Sequence, residues 1–186
     1  MRKNFGSKPW CYPQPVFILA AYDENGVPNA MNVAWGGIHY DDQIAMCISA
    51  NHKTTANILA TKAFTVSMAD ASHLVACDYV GVASGNKIPD KFEKAGFTAT
   101  KSEFVNAPII NELAMCLECK LISYDPESCN LIGEIVNVSA DERVLDDNGK
   151  ISVQLLSPIT FDPVHNVYHV LGEKVGNAFK DGLALK

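Results

Sequence analysis

Three short stretches hold the residue types that could do chemistry. "SANHKTT", Ser49 to Thr55, ends an apolar run with hydroxyl, amide, imidazole and ammonium groups where a helix begins. Unpaired backbone N–H groups and the positive end of the helix dipole favour an anion there, and Ser49, Lys53, Thr54 and Thr55 can add donors. A phosphate monoester suits such a place. The same residues also fit a plainer role, with Thr54 or Thr55 as an N-cap and Lys53 as a solvated surface residue. "ASGNKIPDKF", Ala83 to Phe92, brings Ser84, Gly85, Lys87 and Lys91 together. Gly85 lets the backbone approach a ligand and a lysine can reach a phosphate, although a polar loop has the same composition. "NAMNVAWGGI", Asn29 to Ile38, holds two Asn, a Trp and a Gly pair. A strand that only filled space would not place Gly36 beside Gly37, because glycine costs backbone entropy and packs nothing.

Other chemistries find less support. Cys116 and Cys119 form a C-x-x-C, but in a strand positions three apart face opposite sides, and no second pair has zinc-site spacing. His39, His73, His165 and His169 are dispersed, without H-E-x-x-H or a hydrolase-like order of Ser, His and Asp. No metal site is expected, and hydrolytic catalysis finds little support.

Composition narrows the partners. The 186 residues carry 15 Lys and Arg against 21 Asp and Glu, a net charge of −6, with 48% hydrophobic and 19% charged residues. That is an ordinary globular balance without the basic patch that nucleic-acid binding needs. "MRKNFGSKPWCYPQP" has no apolar segment after its basic residues, and "VFILAA" is far too short to span a bilayer. A cytoplasmic protein, binding neither nucleic acid nor membrane, is expected. The six Cys, at 11, 47, 77, 116, 119 and 129, lie scattered through apolar segments, so buried reduced thiols are expected rather than a disulfide framework.

The elements that must position these stretches are mostly short strands. "PVFILAAY" is an apolar run ending at "DENG", a turn signal, and "VPNAMNVAW" returns as a second strand. "QIAMCISA" precedes a helix over "KTTANILATKA"; "FTVSMA" alternates as a half-buried strand; "SHLVACDYVG" suits a helix closed by Gly81. "SGNKIPDKFEKAGF" looks like a surface excursion with a small helix stopped by Gly96. "AMCLECKLISY" and "LIGEIVNVSAD" form a hairpin around "DPESCN", "ISVQLL" gives a further strand, and "YHVLGEKVGNAFKDG" is a strand with a weakly helical tail. No repeat or linker appears, so residues 1–186 are read as one domain. Many short strands with brief helices suit a mainly β, closed or nearly closed antiparallel barrel. A doubly wound α/β fold lacks its G-x-G-x-x-G after the first strand.

In this order, "PQPVFILAAYDENGVPNAMNVAWGGI", "SANHKTTANILATKAFTVSM", "GVASGNKIPDKFEKAGF", "LECKLIS", "LIGEIVNVSADERVL" and "YHVLGEKVG" resemble the flavin reductase-like family of FMN-binding split barrels, and within it the flavoredoxins. The likeness runs from about Tyr12 to Gly182. It implies a mainly β, six-stranded antiparallel Greek-key split barrel with added helices, forming a homodimer with FMN near the interface. Asn29, Ala30, Met31, Asn32 and Val33 would then lie along the isoalloxazine and ribityl chain, with Trp35 shielding one side. Ser49, Asn51, Lys53 and Thr54 match the phosphate-proximal segment, and Ser84, Gly85 and Lys91 a second loop at the phosphate end. Tyr168 and His169 fall where some relatives close the site, an arrangement open to a contribution from the second subunit. Gly36 and Gly37 become room behind or beside the ring. Several relatives carry arginine where Asn51 or His52 stands, which implies one positive charge fewer at the phosphate.

The likeness implies an FMN-dependent oxidoreductase that carries electrons from NAD(P)H or a small redox protein to an acceptor. The alternative is a non-catalytic flavin-binding or flavin-sensing module. FMN would do its own electron chemistry, the protein supplying binding, orientation and tuning.

Overall fold

The computed structural model describes residues 1–186. In chain order the elements are β1 (Gln14–Pro15), β2 (Phe17–Tyr22), β3 (Pro28–Val33), β4 (Gly36–Tyr40), β5 (Gln43–Cys47), α1 (Lys53–Thr61), β6 (Ala63–Met68), α2 (Leu74–Val82) and α3 (Lys91–Lys94). There follow β7 (Ala99–Lys101), β8 (Pro108–Ile110), β9 (Met115–Asp125), β10 (Asn130–Ala140), α4 (Val153–Leu156), β11 (Ile159–Asp162) and β12 (Val167–Val170).

Seven strands form one antiparallel sheet in the order β3-β2-β6-β9-β10-β5-β4. A three-stranded sheet, β1-β11-β12, and the β7-β8 pair accompany it. The mainly β, split-barrel architecture is as expected, but the principal sheet has one strand more than six. The extra strand arises because "VPNAMNVAWGGIHY" does not run straight: the chain leaves β3 at Val33 and re-enters the sheet as β4 at its opposite edge. The two edges of the curled sheet are therefore joined by only Ala34 and Trp35.

Local chemistry explains the turns. In the β2-β3 hairpin the Asp23 carboxylate accepts from the N–H groups of Asn25 and Val27, both at 2.9 Å, and Gly26 takes φ +79°. At the β9-β10 turn, Asp125 accepts from the N–H groups of Glu127 and Ser128 and from the Ser128 hydroxyl. Those bonds favour its charged form and hold its pKa below the usual carboxylate range. Register shifts between Ile132 and Gly133 and between Ile135 and Asn137 bulge β10 against β9, adding local twist to the longest hairpin.

Two cores flank the inner strands. Leu19, Ile44, Met46, Phe64, Val66, Cys119 and Leu131 pack inside the curl. Ile18, Ala20, Ala30, Val80, Phe92, Phe97 and Ile110 pack on the other side, beneath α2 and α3. Covering both faces is why "FILAAY" reads as a continuous apolar run. It also corrects the half-buried reading of "FTVSMA": Phe64, Thr65, Val66 and Ser67 are all fully buried, and the Thr65 hydroxyl donates to the Pro108 carbonyl at 2.6 Å.

Three further expectations change. "SGNKIPDKFEKAGF" is no mere surface excursion, since Lys91, Phe92 and Phe97 are buried and the two Phe rings meet edge to face at 5.7 Å. In "ISVQLL" the Ser152 hydroxyl caps Leu155 N–H and turns Val153–Leu156 into a helix instead of a strand. The C-terminal tail is helical only as a short 3-10 turn over Asp181–Leu185. Of the six thiols, Cys77, Cys116 and Cys119 are buried, whereas Cys11 and Cys47 are exposed. Burial pushes the Cys116 thiol up to about 11.

Candidate functional site

The path from β3 to β4 borders a cavity of about 320 Å³, walled by Met31–Trp35, by Cys47 and Ile48 at the end of β5, by α2 and by Phe161 and Tyr168. Its lining is mainly apolar. A second, polar cavity of about 190 Å³ lies beside it, lined by Lys53, Thr54, Ser84, Gly85 and Lys91 among others. Met31, Asn32, His52, Gly81 and Val82 line both. The two are lobes of one bipartite site.

Close approach of α2 to β3 shapes the lining that the two lobes share. α2 continues through Gly81 to Val82 instead of stopping at the glycine, and a Cβ at Gly81 would lie 2.9 Å from the Cβ of Asn32. Glycine is thus needed for the α2-β3 contact, which the Asn32 amide reinforces by donating to the Cys77 carbonyl at 3.2 Å. Gly85 plays a similar part in the polar lobe, where its Cβ would meet Asn29 Nδ2 at 2.6 Å and Lys53 Cβ at 3.1 Å. Gly36 serves strand packing instead of the cavity: its Cβ would strike Met46 Cγ at 2.6 Å, and Gly37 faces open space. Neither glycine lines the apolar lobe.

The start of α1 faces the polar lobe. His52 is its N-cap residue and offers no side-chain cap. Thr54 and Thr55 do not cap it either, because both lie inside the helix with their hydroxyls committed: Thr54 to Asn29 Oδ1 at 2.8 Å, Thr55 to the Ser49 carbonyl at 2.9 Å. Uncapped first-turn N–H groups beside Lys53, which forms no ion pair, make a site for an anion. Burial, and then the charge of Lys91, lower the His52 pKa, so the imidazole is neutral near pH 7.

Lys91 is only 3% exposed, and its ammonium donates to the carbonyls of Val80 at 3.0 Å and Ala83 at 2.9 Å. It therefore ties α3 to the last turn of α2 while lining the polar lobe. Burial pushes its pKa down to about 8 from 10.5. Between those values the unfolded chain binds more protons than the folded one, so the Lys91 contribution to stability is lowest below pH 8 and rises up to pH 10.5. Urea unfolding of wild type and Lys91→Met across this range should show the difference moving in favour of wild type, by on the order of 2 kcal/mol.

In the apolar lobe the Tyr168 hydroxyl donates to Asp78 Oδ1 at 2.8 Å, joining β12 to α2. Burial and this bond push the tyrosine up to about 12. The Phe161 and Tyr168 rings pack with centroids 5.8 Å apart.

Ten of the residues singled out from sequence line the two lobes: Met31, Asn32, Val33, Trp35, Lys53, Thr54, Ser84, Gly85, Lys91 and Tyr168. Five do not. Ala30 points into the second core, and Asn29 is buried beneath the Gly85 loop. Ser49 and Asn51 lie in the turn before α1, where the Asn51 carbonyl accepts from Asn86 at 2.9 Å. His169 alternates away from Tyr168 along β12 and is exposed, with Nε2 3.7 Å from Asp162. Sequence reasoning missed Asp78, Gly81, Val82, Cys47, Ile48 and Phe161 as lining. Asp78 did carry a signal, as the single charge in "LVACDYVGV".

The family model of the flavin reductase like domain matches residues 10–162. Among solved structures, the flavoredoxin of Desulfovibrio vulgaris (Miyazaki F) is 35% identical with a TM-score of 0.93, over 98% of this chain and 100% of that one. A flavoredoxin from Methanosarcina acetivorans is 25% identical with a TM-score of 0.89 over the whole of both chains. An FMN-binding domain of a flavin reductase-like enzyme from Shewanella baltica OS155 shares the fold at 18% identity and a TM-score of 0.78, over 88% of this chain and 89% of that one. With a domain match spanning most of its length and a full-length likeness to a flavoredoxin, the chain belongs to the flavin reductase-like family.

Proposed function

We propose that this chain binds FMN non-covalently and works as an oxidoreductase of flavin reductase or flavoredoxin type, taking electrons from NAD(P)H or a small redox protein. The observation that carries this reading is the joining of an apolar lobe of about 320 Å³ to a polar lobe holding an uncapped helix start and two lysines. A planar ring and a phosphate on one molecule need that pair of environments.

Lys53 and the first-turn N–H groups of α1 hold the phosphate, with Ser84 and the Gly85 backbone closing over it. Met31, Val33 and Trp35 give the ring an apolar wall, and Asn32 offers an amide where the lobes meet. Lys91 adds positive potential while bracing α2. Bound FMN supplies the two-electron chemistry; the chain supplies binding, orientation and electrostatics. A second copy completes the site along the edge strand β4, where Ile38 and Tyr40 are 70% and 67% exposed, and over Trp35 just before it, which is 50% exposed and lines the apolar lobe. No helix is long and apolar enough to cross a membrane.

The purified protein is expected to be yellow and to release FMN on acid precipitation. A colourless protein that takes up no added FMN would refute the proposal. Anaerobic mixing with NADH or NADPH then separates the two forms of the activity: rapid bleaching identifies a flavin reductase, whereas bleaching only by a reduced redox protein identifies an electron carrier.

A further inference from the structure

Asp78 is the one acidic residue lining the apolar lobe, and no lysine or arginine lines that lobe. Its carboxylate is held in place by the Tyr168 hydroxyl at 2.8 Å and forms no ion pair. The groups around it leave the charge uncompensated. Asn32 on β3 is an amide, Tyr168 on β12 stays protonated, Cys77 on the same helix is a thiol pushed up to about 12, and His52 across the lobe is neutral. The cations Lys53 and Lys91 line the polar lobe and not the apolar one.

We propose that Asp78 sets the reduction potential of the flavin site, its fixed carboxylate disfavouring negative charge in the apolar lobe. This rests on the FMN reading above. Uptake of two electrons and one proton gives an isoalloxazine ring bearing one negative charge, while the oxidised ring is neutral. A carboxylate on the lobe wall repels the first and barely affects the second, and the apolar surroundings screen that repulsion less than water does. The site therefore binds oxidised FMN in preference to reduced FMN, and the bound flavin becomes a stronger electron donor. Asp78 acts as an electrostatic determinant of the cofactor without taking or giving a proton.

The test measures Kd of the apoprotein for oxidised FMN and, anaerobically with dithionite, for reduced FMN. Asp78→Asn is isosteric and keeps an acceptor for Tyr168. It should tighten reduced FMN relative to oxidised FMN about tenfold, equivalent to about 30 mV upward for a two-electron couple. Asp78→Glu keeps the charge and should stay close to the wild-type ratio. Tyr168→Phe removes the donor but not the carboxylate and should not tighten reduced FMN. The proposal falls if Asp78→Asn leaves the ratio within about twofold of wild type, or if Asp78→Glu moves it as far as Asp78→Asn does. Failure of wild type to bind either form would instead overturn the FMN reading, and this inference with it.

Discussion

Replacing Lys53 and Thr54 together by alanine is expected to weaken FMN binding by about 2 to 4 kcal/mol, roughly 30-fold to several hundredfold. The two residues act differently. Lys53 has no partner in an ion pair and sits at the uncapped start of α1, so its ammonium is free to bond the phosphate of the proposed FMN. Thr54 acts through Asn29: its hydroxyl donates to Asn29 Oδ1, and Asn29 lies against the Gly85 loop. Without that hydroxyl a buried acceptor is left unpaired, and the loop loses the side chain on which it rests. Titration of the apoprotein with FMN at fixed salt measures the loss. Riboflavin, which lacks the phosphate, should lose little affinity for Lys53→Ala. Equal losses for FMN and riboflavin, or no loss for either, would remove Lys53 from the phosphate site.

How far this site was legible in advance follows from what each residue depends on. Lys53 and the start of α1 are local features, and a strand giving way to a helix near His52 can be read from a few neighbouring residues. That neither threonine caps α1 could not be read this way. Whether a hydroxyl serves its own helix or a side chain 25 residues away depends on β3 lying beside α1, and here Asn29 and Ser49 take both hydroxyls. The glycines show the same limit. "GG" at Gly36 and Gly37 stands out in sequence, yet Gly36 answers to Met46 across the β4-β5 pair. Gly81, which reads as a helix stop, is the glycine that lines both lobes.

The fold was legible wherever one face or one turn decided the outcome. Asp23 to Gly26 and Asp125 to Ser128 close hairpins with their own side chains and need nothing distant. Strand count was less secure because the break at Ala34 and Trp35 comes from sheet curvature, which sends one apolar stretch to two opposite edges. "KIPDKFEKAGF" misleads for another reason: its charges suggest solvent, but Lys91 finds carbonyl partners inside and carries Phe92 in with it. The resemblance supplied what periodicity could not, the expectation that three separated stretches meet, and Asn32, Lys53 and Ser84 do line one cavity.

Phe64→Ala should be the most destabilising substitution considered, at about 3 to 5 kcal/mol. The ring is fully buried in the core inside the curl, in the same cluster as Met31 and Val33, which line the apolar lobe. It also lies over Gly133: a Cβ there would sit 2.4 Å from Phe64 Cζ and 2.9 Å from Cε1. Gly133→Ala alone should therefore cost about 1 to 3 kcal/mol, since a closely packed core has no room to shift the ring. The two effects cannot be independent. Once Phe64 is alanine, the new methyl enters the space the ring has left, and the cost of Gly133→Ala should fall close to zero. Urea unfolding of both single variants and the double variant, with m-values compared to verify a common transition, measures that coupling. Strict additivity would mean that Gly133 answers to the backbone geometry of the β10 bulge beside Ile132, and not to the aromatic ring across from it.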